Sequence, residues 1–299
     1  MNIIGRRKIW YILSALLIVP GIVSLFVWGL NFGIDFKGGS LLELKFPQKQ
    51  EISLSEIRQA LNPLNLPGLS VQTSAANGVI LRMNEINQDK AKEIEQVLTQ
   101  KFGEVTEESF ETIGPVVSSD LTRKAIFSVI LASIAIILYI AFAFRKVPAP
   151  ASSWRFGVAA VAALIHDLLF VTGVFSILGH FFGYEIDTLF ITALLTVMGF
   201  SVHDTIVVFD RLRENLLKYP DVSFDEMANA SVVQTMDRSI NTTATVLIVL
   251  LALYLFGGAS IAHFVLVLLV GIFIGTYSSI FNATPIVVSW QLWSQKRQG

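Results

Sequence analysis

The chain has 299 residues, of which 53% are hydrophobic and 15% are charged, and its formal net charge at pH 7 is −1. Soluble globular proteins carry about 25% charged residues, so this composition favours a chain that is largely surrounded by lipid. The small net charge gives no basis for nucleic-acid binding. The absence of cysteine excludes disulfides, thiolate metal sites and cysteine nucleophiles, and the 4 histidines form no HExxH motif.

Six segments are apolar and long enough, or nearly so, to cross a bilayer. A hydrocarbon core about 30 Å thick requires about 20 apolar residues in a helix, and a helix satisfies its own backbone in lipid. We therefore predict a polytopic α-helical membrane protein with six transmembrane helices. The predicted spans 1 to 6 are Ile9–Leu30, Ala125–Phe144, Phe156–Leu178, Thr188–Phe209, Ile240–Phe256 and Phe264–Trp290.

The distribution of lysine and arginine predicts the orientation. Span 1 follows three basic residues, and no small-residue cleavage site follows it, so it is interpreted as an uncleaved signal-anchor. The short loops 179–187 and 257–263 contain no lysine or arginine, whereas the other short loops and both termini do. By the positive-inside rule both termini are expected in the cytoplasm. The predicted parts are 1–30 (N-terminus and span 1), 31–121 (extracytoplasmic domain) and 122–299 (spans 2 to 6, cytoplasmic loop 211–238 and C-terminus).

The segment between spans 1 and 2 has a βαββαβ pattern, which is typical of a ferredoxin-like α+β sandwich. Ser53 and Glu56 form a candidate capping box for the first helix. Asn77-Gly78 is typical of a hairpin turn, and Gly103 is expected to end the second helix. Because this fold hosts unrelated functions, the domain is interpreted as a docking module. Its elements are predicted at Leu41–Phe46, Leu54–Leu64, Ser70–Ser74, Val79–Met83, Asp89–Phe102 and Ser109–Ile113.

Polar residues inside spans 3 and 4 are the candidate functional residues. A charged side chain at the centre of a bilayer costs about 2.5–3.5 kcal/mol on insertion scales, so Asp167 and Asp204 each need a partner, a proton or water. Asp204 has no charged neighbour inside its span and is the first candidate for proton transfer. The adjacent His166 and Asp167 fit a proton relay and, equally, a structural polar pair between helices.

Span 5 is preceded by Arg238, which is the candidate cation for Asp204, although its position by itself favours a positive-inside anchor. Ser239, Thr242 and Thr243 share a helical face, which predicts a polar stripe that holds water or bonds to another helix. The polar segment 211–237 is expected to form a short helix lying on the cytoplasmic surface.

Five short motifs, in order along about residues 5–293, resemble those of the SecF family, a membrane subunit of the bacterial protein-export machinery. One position departs from the family pattern: His203 stands where asparagine is usual, and histidine titrates whereas asparagine does not. Five motifs in matching topological places are specific, although each alone is weak. They are GFSVHDTIVVFDRLREN at 199–215, FGIDFKGG at 32–39, IGPVV at 113–117, ALIHD at 163–167, and RSINTT at 238–243 with LFGG at 255–258.

The resemblance implies a member of the resistance-nodulation-division superfamily that pairs with a homologous subunit, SecD, and assists preprotein export through the SecYEG channel. It implies protons as the coupling ion, with no cofactor, no metal and no enzymatic reaction. The expected location is the bacterial inner membrane or a thylakoid membrane. The family's proton-path aspartate and functional arginine map onto Asp204 and Arg238. Whether His203 binds protons together with Asp204 is left open by the resemblance. Further candidates are the helix-interface residues Ser201, Thr205, Thr242 and Thr243 and the motif residues Asp35, Gly38, Gly39, Gly114, Pro115, Asp210 and Arg211.

The resulting hypothesis is that Asp204 alternates between an ionised form, held by Arg238 and the threonines of span 5, and a protonated form that lets spans 4 and 5 repack. Three alternatives are a proton-driven efflux subunit of the same superfamily, an intramembrane aspartyl protease and a structural clamp. Efflux pumps of that superfamily are usually longer single chains. A protease would use Asp167 and Asp204, but the Gly-x-Gly-Asp context of such enzymes is absent.

Overall fold

The structure is a computed structural model that describes residues 1–47, 53–74, 78–145 and 153–298. The chain divides into two compact units: a helical unit of Met1–Asn31 with Phe127–Gly299, and a sheet unit of Phe32–Ile126. Within the described residues, 6 helices are long and apolar enough to cross a membrane, which confirms the predicted number of spans.

The spanning helices are mostly longer than the apolar segments that predict them. Spans 1 to 5 correspond to α1, α5, α6, α7 and α8, and span 6 corresponds to α9 and α10 with a π-helical turn at Ser279–Ala283 between them. The sequence-based prediction of span 6 does not include this turn. The α-helices are α1 (Arg7–Val27), α2 (Ile34–Lys37), α3 (Leu54–Leu61), α4 (Gln88–Phe102), α5 (Pro115–Ala143), α6 (Ser153–Phe182), α7 (Thr188–Lys218), α8 (Phe224–Phe256), α9 (Ala259–Ser278) and α10 (Thr284–Gln298).

The short surface helix expected within 211–237 is not formed. Instead, α7 continues to Lys218 and α8 begins at Phe224, so only residues 219–223 connect the two helices. The helices continue because Leu212, Leu216 and Phe224 are buried in the same hydrophobic core as the membrane-spanning residues of α7. The charged residues of this segment therefore lie on the outer faces of two packed helices, whereas Asn215, Ser231 and Thr235 are buried. Hydropathy alone does not distinguish such helices from a loop.

Glycines allow close helix contacts in the helical unit. A Cβ added to Gly173 of α6 would lie 2.5 Å from the Cα of Gly21 in α1. Gly271 and Gly275, one turn apart on α9, face α7, and a Cβ on Gly275 would lie 2.9 Å from the Cβ of Ser201. Small residues at this spacing are typical of membrane helices that approach closely. Since α9 contacts α6, α7 and α8, this packing places α9 within reach of side chains from all three.

The sheet unit has the predicted βαββαβ order, and its antiparallel sheet has the strand order β2-β3-β1-β4. The strands are β1 (Gly39–Lys45), β2 (Ser70–Ser74), β3 (Gly78–Met83) and β4 (Thr106–Ile113). Alternate residues such as Leu42 and Leu44 point into a core that Ile57 of α3 and Ile94 of α4 complete. This topology confirms the ferredoxin-like sandwich.

One local prediction in the sheet unit is wrong. Ser53 precedes α3, but its hydroxyl bonds to Ser55 Oγ (2.7 Å) and caps no backbone N–H, so the capping box with Glu56 is not formed. Two serine hydroxyls close together satisfy each other and leave the helix end without that cap. Gly103 ends α4 as predicted, with a φ of 89°.

The predicted hairpin of β2 and β3 is present. Gly78 is already the first residue of β3 and pairs with Ser74. Asn77 lies outside the described residues, as does Lys146, one of the basic residues between the predicted spans 2 and 3.

Candidate functional site

Asp204 lies near the middle of α7, and its carboxylate accepts hydrogen bonds from two serines. Ser239 of α8 donates to Oδ1 and Ser279, at the start of the π turn, donates to Oδ2, each at 2.6 Å. The residue is only 8% exposed. No lysine, arginine or histidine of the described residues forms an ion pair with it. Each carboxylate oxygen thus has a neutral donor, and the site contains no countercharge.

Asp167 of α6 is fully buried and accepts hydrogen bonds from three side chains. His166 Nδ1 lies 2.9 Å from Oδ1, while the hydroxyls of Ser201 and Ser278 donate to Oδ2 at 2.5 and 2.7 Å. His166 belongs to the same helix as Asp167, so the bonds that cross between helices come from the serines of α7 and α9. Asp167 therefore ties three helices together, and His166 is its charged neighbour when that imidazole is protonated.

Ser278 and Ser279 are adjacent in sequence, and each donates to a different aspartate. Each hydroxyl also lies close to a backbone carbonyl: Ser278 Oγ is 3.1 Å from Gly275 O, and Ser279 Oγ is 2.9 Å from Thr276 O. Neither serine is among the residues predicted from the sequence, because serine in an apolar span is usually a small packing residue. The available signal is a cluster of polar residues in an otherwise apolar segment: Thr276, Tyr277, Ser278, Ser279 and Asn282.

Arg238 and His203 do not contact Asp204. Both side chains are exposed, and in the described part of the chain no hydrogen bond or ion pair joins either of them to Asp204. Neighbouring residues on an α-helix point about 100° apart. Because Ser239 faces Asp204, the neighbouring Arg238 points in another direction from α8. His203 likewise points away from the face of α7 on which Asp204 lies. The sequence-based pairing of Arg238 with Asp204 is therefore not formed within this chain.

The polar stripe predicted on span 5 is divided between two faces of α8. Ser239 and Thr243 are buried, and the Thr243 hydroxyl lies 2.6 Å from that of Thr276 in α9. Thr242 is exposed and belongs to a second row with helical spacing. This row, which we call the polar face of α8, consists of Arg238, Asn241, Thr242 and Thr245.

The remaining candidates on α7 take local partners. The buried Thr205 hydroxyl donates to Ser201 O at 3.1 Å. Asp210 pairs with Arg213 at 2.8 Å, and Arg211 pairs with Glu214 at 2.9 Å. A groove of about 430 Å³ between α7 and α8 is lined by Asp210, Arg211 and Glu214 of α7 and by Arg238 of α8. The groove therefore reaches the first residue of the polar face, near the middle of α8.

The motif residues of the sheet unit lie where β1, β4 and the start of α5 come together. Gly39 pairs with Ile113 across the ladder and has a φ of 124°, and a Cβ there would lie 2.6 Å from Met83 O. Gly38 has a φ of 74°, so both positions need glycine. Pro115 begins α5, where its missing N–H costs no helix bond. These motif residues are Asp35, Gly38, Gly39, Gly114 and Pro115.

Asp167 and Asp204 share no hydrogen bond, since each has its own donors. Aspartic proteases require two carboxylates that share one proton. The arrangement therefore does not support the protease alternative. In the described residues no group of three or more histidine, aspartate and glutamate side chains is placed to hold a metal.

Known proteins match the chain over nearly its whole length. Residues 93–293 match the family described as "Protein export membrane protein SecD/SecF, C-terminal", and residues 23–48, which include Gly38 and Gly39, match the "SecD/SecF GG Motif". A "Protein translocase subunit SecF" of Thermobaculum terrenum is 46% identical over 97% of this chain and 94% of the relative. One of Haemophilus influenzae is 37% identical over 94% of this chain and 83% of the relative.

A solved structure supports the same relationship. The crystal structure of SecDF, a translocon-associated membrane protein from Thermus thermophilus, is 32% identical with a TM-score of 0.86. The match covers 98% of this chain and 39% of the SecDF chain. The resemblance noted from the sequence motifs is thereby confirmed: the chain belongs to the SecD/SecF family of protein-export membrane proteins.

Proposed function

We propose that this chain is the SecF-type subunit of a protein-export complex that uses the proton gradient. In this proposal a SecD-type subunit forms the other half of the complex, and the complex assists preproteins that leave the SecYEG channel. Relatives named as SecF translocase subunits, matched over nearly their full length, support the export role. The surroundings of Asp204 support the proton coupling. The polar face of α8 supports a partner subunit.

The observation that carries the proton coupling is the surroundings of Asp204. Both oxygens of this buried carboxyl group accept hydrogen bonds from neutral hydroxyls, those of Ser239 and Ser279. Without a cation beside it, the carboxylate is not locked in the ionised form. A proton crossing about 100 mV releases about 2.3 kcal/mol, which shifts a two-state equilibrium roughly fiftyfold. Passage of a proton through this site therefore supplies enough free energy to bias the packing of α7 against α8 and α9.

The polar face of α8 supports a partner in the membrane. Asn241, Thr242 and Thr245 fall inside the predicted span 5 and are exposed in this chain. Polar side chains that face lipid are unfavourable, and membrane proteins bury them against other helices. In SecDF the matched region is 39% of the chain, so the rest of that protein has room for a second bundle. Arg238 would then meet an acidic group or the proton path of the partner.

The proposed location follows from charge. Basic residues lie at the start of α1 and at the end of α10, so we place both termini and the α7–α8 turn in the cytoplasm and the sheet unit on the opposite side. A bacterial inner membrane fits this placement, and a thylakoid membrane fits it equally.

The test is proton-gradient-dependent export in inverted membrane vesicles that contain the channel and the partner subunit. We expect Asp204→Asn and Arg238→Ala each to reduce the gradient-stimulated part of export by about tenfold or more, because each removes a group of the proton path. Asp221→Asn and Lys218→Ala, which change exposed charges near the α7–α8 turn, are the matched controls and should export normally.

Equal insertion of all variants must be verified first. Retention of gradient-dependent export in both Asp204→Asn and Arg238→Ala would contradict proton coupling through this chain and favour a structural clamp. Export that is unchanged when the whole chain is removed would contradict the export role itself.

A further inference from the structure

We propose that His166 and Asp167 form a second proton-binding site and that the adjacent serines of the π turn couple it to Asp204. The proposal rests on the proposed function, because it assumes that Asp204 takes up protons. It assigns Ser278 and Ser279 a positioning role between the two sites.

The His166–Asp167 pair has the chemistry to hold one extra proton. If Nδ1 of the neutral imidazole donates to Asp167, the lone pair lies on Nε2. That nitrogen is buried and has no hydrogen-bond partner among the described residues. A proton that binds Nε2 converts a buried carboxylate and a neutral imidazole into an ion pair with no net charge. Removal of net charge from a buried site is favourable, so uptake of the proton has a physical driving force.

The groups that face this site are few. Ser201 approaches from α7 and Ser278 from α9, and both donate to Asp167. Tyr277 of α9 stacks beside His166 with ring centroids 6.3 Å apart. No lysine or arginine of the described residues forms an ion pair with Asp167. His166 is therefore the group that supplies positive charge to this carboxylate.

The two serines can serve both protonation states of their aspartates. A hydroxyl has one proton, so Ser279 donates either to Asp204 (2.6 Å) or to Thr276 O (2.9 Å). When Asp204 is protonated, its own O–H can donate to Ser279 Oγ while Ser279 turns to the carbonyl. Ser278 has the same choice between Asp167 (2.7 Å) and Gly275 O (3.1 Å). Neither change leaves a buried polar group unpaired.

Coupling follows from the position of these serines in the chain. Their Cα atoms are about 3.8 Å apart because they are neighbours, and Ser279 is the first residue of the π turn. A π turn is a local widening of the helix that often occurs at functional positions. Gly275 holds this part of α9 close to Ser201 of α7, so a shift of Ser279 toward or away from Asp204 displaces Ser278 relative to Asp167.

The test is pH-dependent infrared difference spectroscopy of the full chain in lipid nanodiscs. Carboxyl groups give separate bands in their protonated and ionised forms. Asp204→Asn and Asp167→Asn assign the bands, and His166→Gln identifies the contribution of the imidazole. The decisive variant is Ser278→Ala, which removes a donor from Asp167 alone. We expect it to change the proton affinity of Asp204 by about fivefold or more.

Ser176→Ala is the matched control, because Ser176 is a buried serine of α6 that bonds to Ser24 and Gly29 O and touches neither aspartate. It should leave both titrations unchanged. If Ser278→Ala does not fold, the native chain labelled with ¹³C in its aspartate carboxyl groups gives the same information, since coupled groups titrate in shared steps.

Three results would overturn the proposal: no titration assigned to His166 or Asp167, independent titrations in the native chain, or equal effects of Ser278→Ala and Ser176→Ala. The outcome is separable from the export assay. Coupled titrations with gradient-independent export would support the second site and contradict the proposed function. Independent titrations with gradient-dependent export would contradict the second site alone.

Discussion

Asp167 accepts hydrogen bonds from two serine hydroxyls and is bonded to one imidazole, and among the described residues Asp204 accepts from serines alone. A hydroxyl donor stabilises a carboxylate without adding a charge to the site. An arginine in the same place would hold the carboxylate in its ionised form, because breaking a buried ion pair leaves an uncompensated charge. At the residue scale, neutral donors are what allow a buried acid to change its protonation state.

The three donors of Asp167 make its replacement by an apolar residue costly. We expect Asp167→Leu to lower the free energy of unfolding by about 2–4 kcal/mol, because the buried donors on α6, α7 and α9 lose their acceptor. Asp167→Asn keeps one acceptor oxygen and should cost about 1 kcal/mol. The measurement is thermal unfolding of the purified chain in detergent, with Asp221→Leu as an exposed control. Equal losses for the leucine and asparagine variants would contradict this account.

Sequence patterns indicate the two aspartates and three of the groups that bond to them, namely His166, Ser201 and Ser239, but not Ser278 and Ser279. An aspartate within an apolar span is conspicuous because its insertion is unfavourable. Ser278 and Ser279 are not conspicuous, since a serine hydroxyl can always bond to the carbonyl of its own preceding turn. The place of Arg238 next to span 5 favours it as the cation for Asp204, whereas the rotation of about 100° between Arg238 and Ser239 on α8 directs the arginine side chain elsewhere.

At the scale of elements, α9 positions the candidate site. It contacts α6, α7 and α8, and its glycines allow the backbone of α7 to come close enough for short serine–aspartate bonds. The limits of the elements were harder to predict than their existence. Hydropathy detects the apolar centre of a helix, whereas the polar ends of α7 and α8 and the π turn depend on packing against neighbours.

The close contact between α7 and α9 predicts opposite effects for two glycine substitutions. Gly275→Ala should destabilise the chain by about 1–3 kcal/mol, because its Cβ would overlap Ser201 and separate the two helices. Gly199→Ala, on α7 with no atom within 4 Å of the added Cβ, should be neutral or stabilise by up to about 1 kcal/mol, since alanine favours the helix. Thermal unfolding of both variants in one detergent distinguishes these outcomes, and loss of stability in Gly199→Ala alone would contradict the packing described for α9.

At the scale of the whole molecule, the exposed surface of the helical unit is uneven. The exposed side chains of α5 are mostly apolar, whereas α8 exposes a row of polar residues within its span. Lipid can solvate the apolar side chains of α5, whereas the polar row of α8 is better buried against another protein helix. Composition predicted that the chain is a membrane protein, but only the folded arrangement distinguishes a lipid-facing helix from a helix that needs a partner.

Replacing the uncharged residues of the polar face should therefore weaken assembly. We expect the triple variant Asn241→Leu, Thr242→Leu and Thr245→Leu to retain about tenfold less partner subunit on co-purification, because it removes hydrogen-bonding groups between helices. The matched control on the same helix replaces exposed apolar residues with apolar ones: Ile248→Leu, Val249→Leu and Leu251→Ile. Retention of the partner by the triple variant at the level of this control would contradict the assigned interface.

The same polar face has a consequence for newly made copies of the chain. Until a partner covers it, α8 carries an arginine and three amide or hydroxyl side chains on an exposed face. We expect membrane quality-control proteases to degrade copies in this state, so that synthesis of the two subunits has to be matched. A pulse–chase measurement in cells that lack the partner should show a shortened half-life, and the leucine triple variant should restore it.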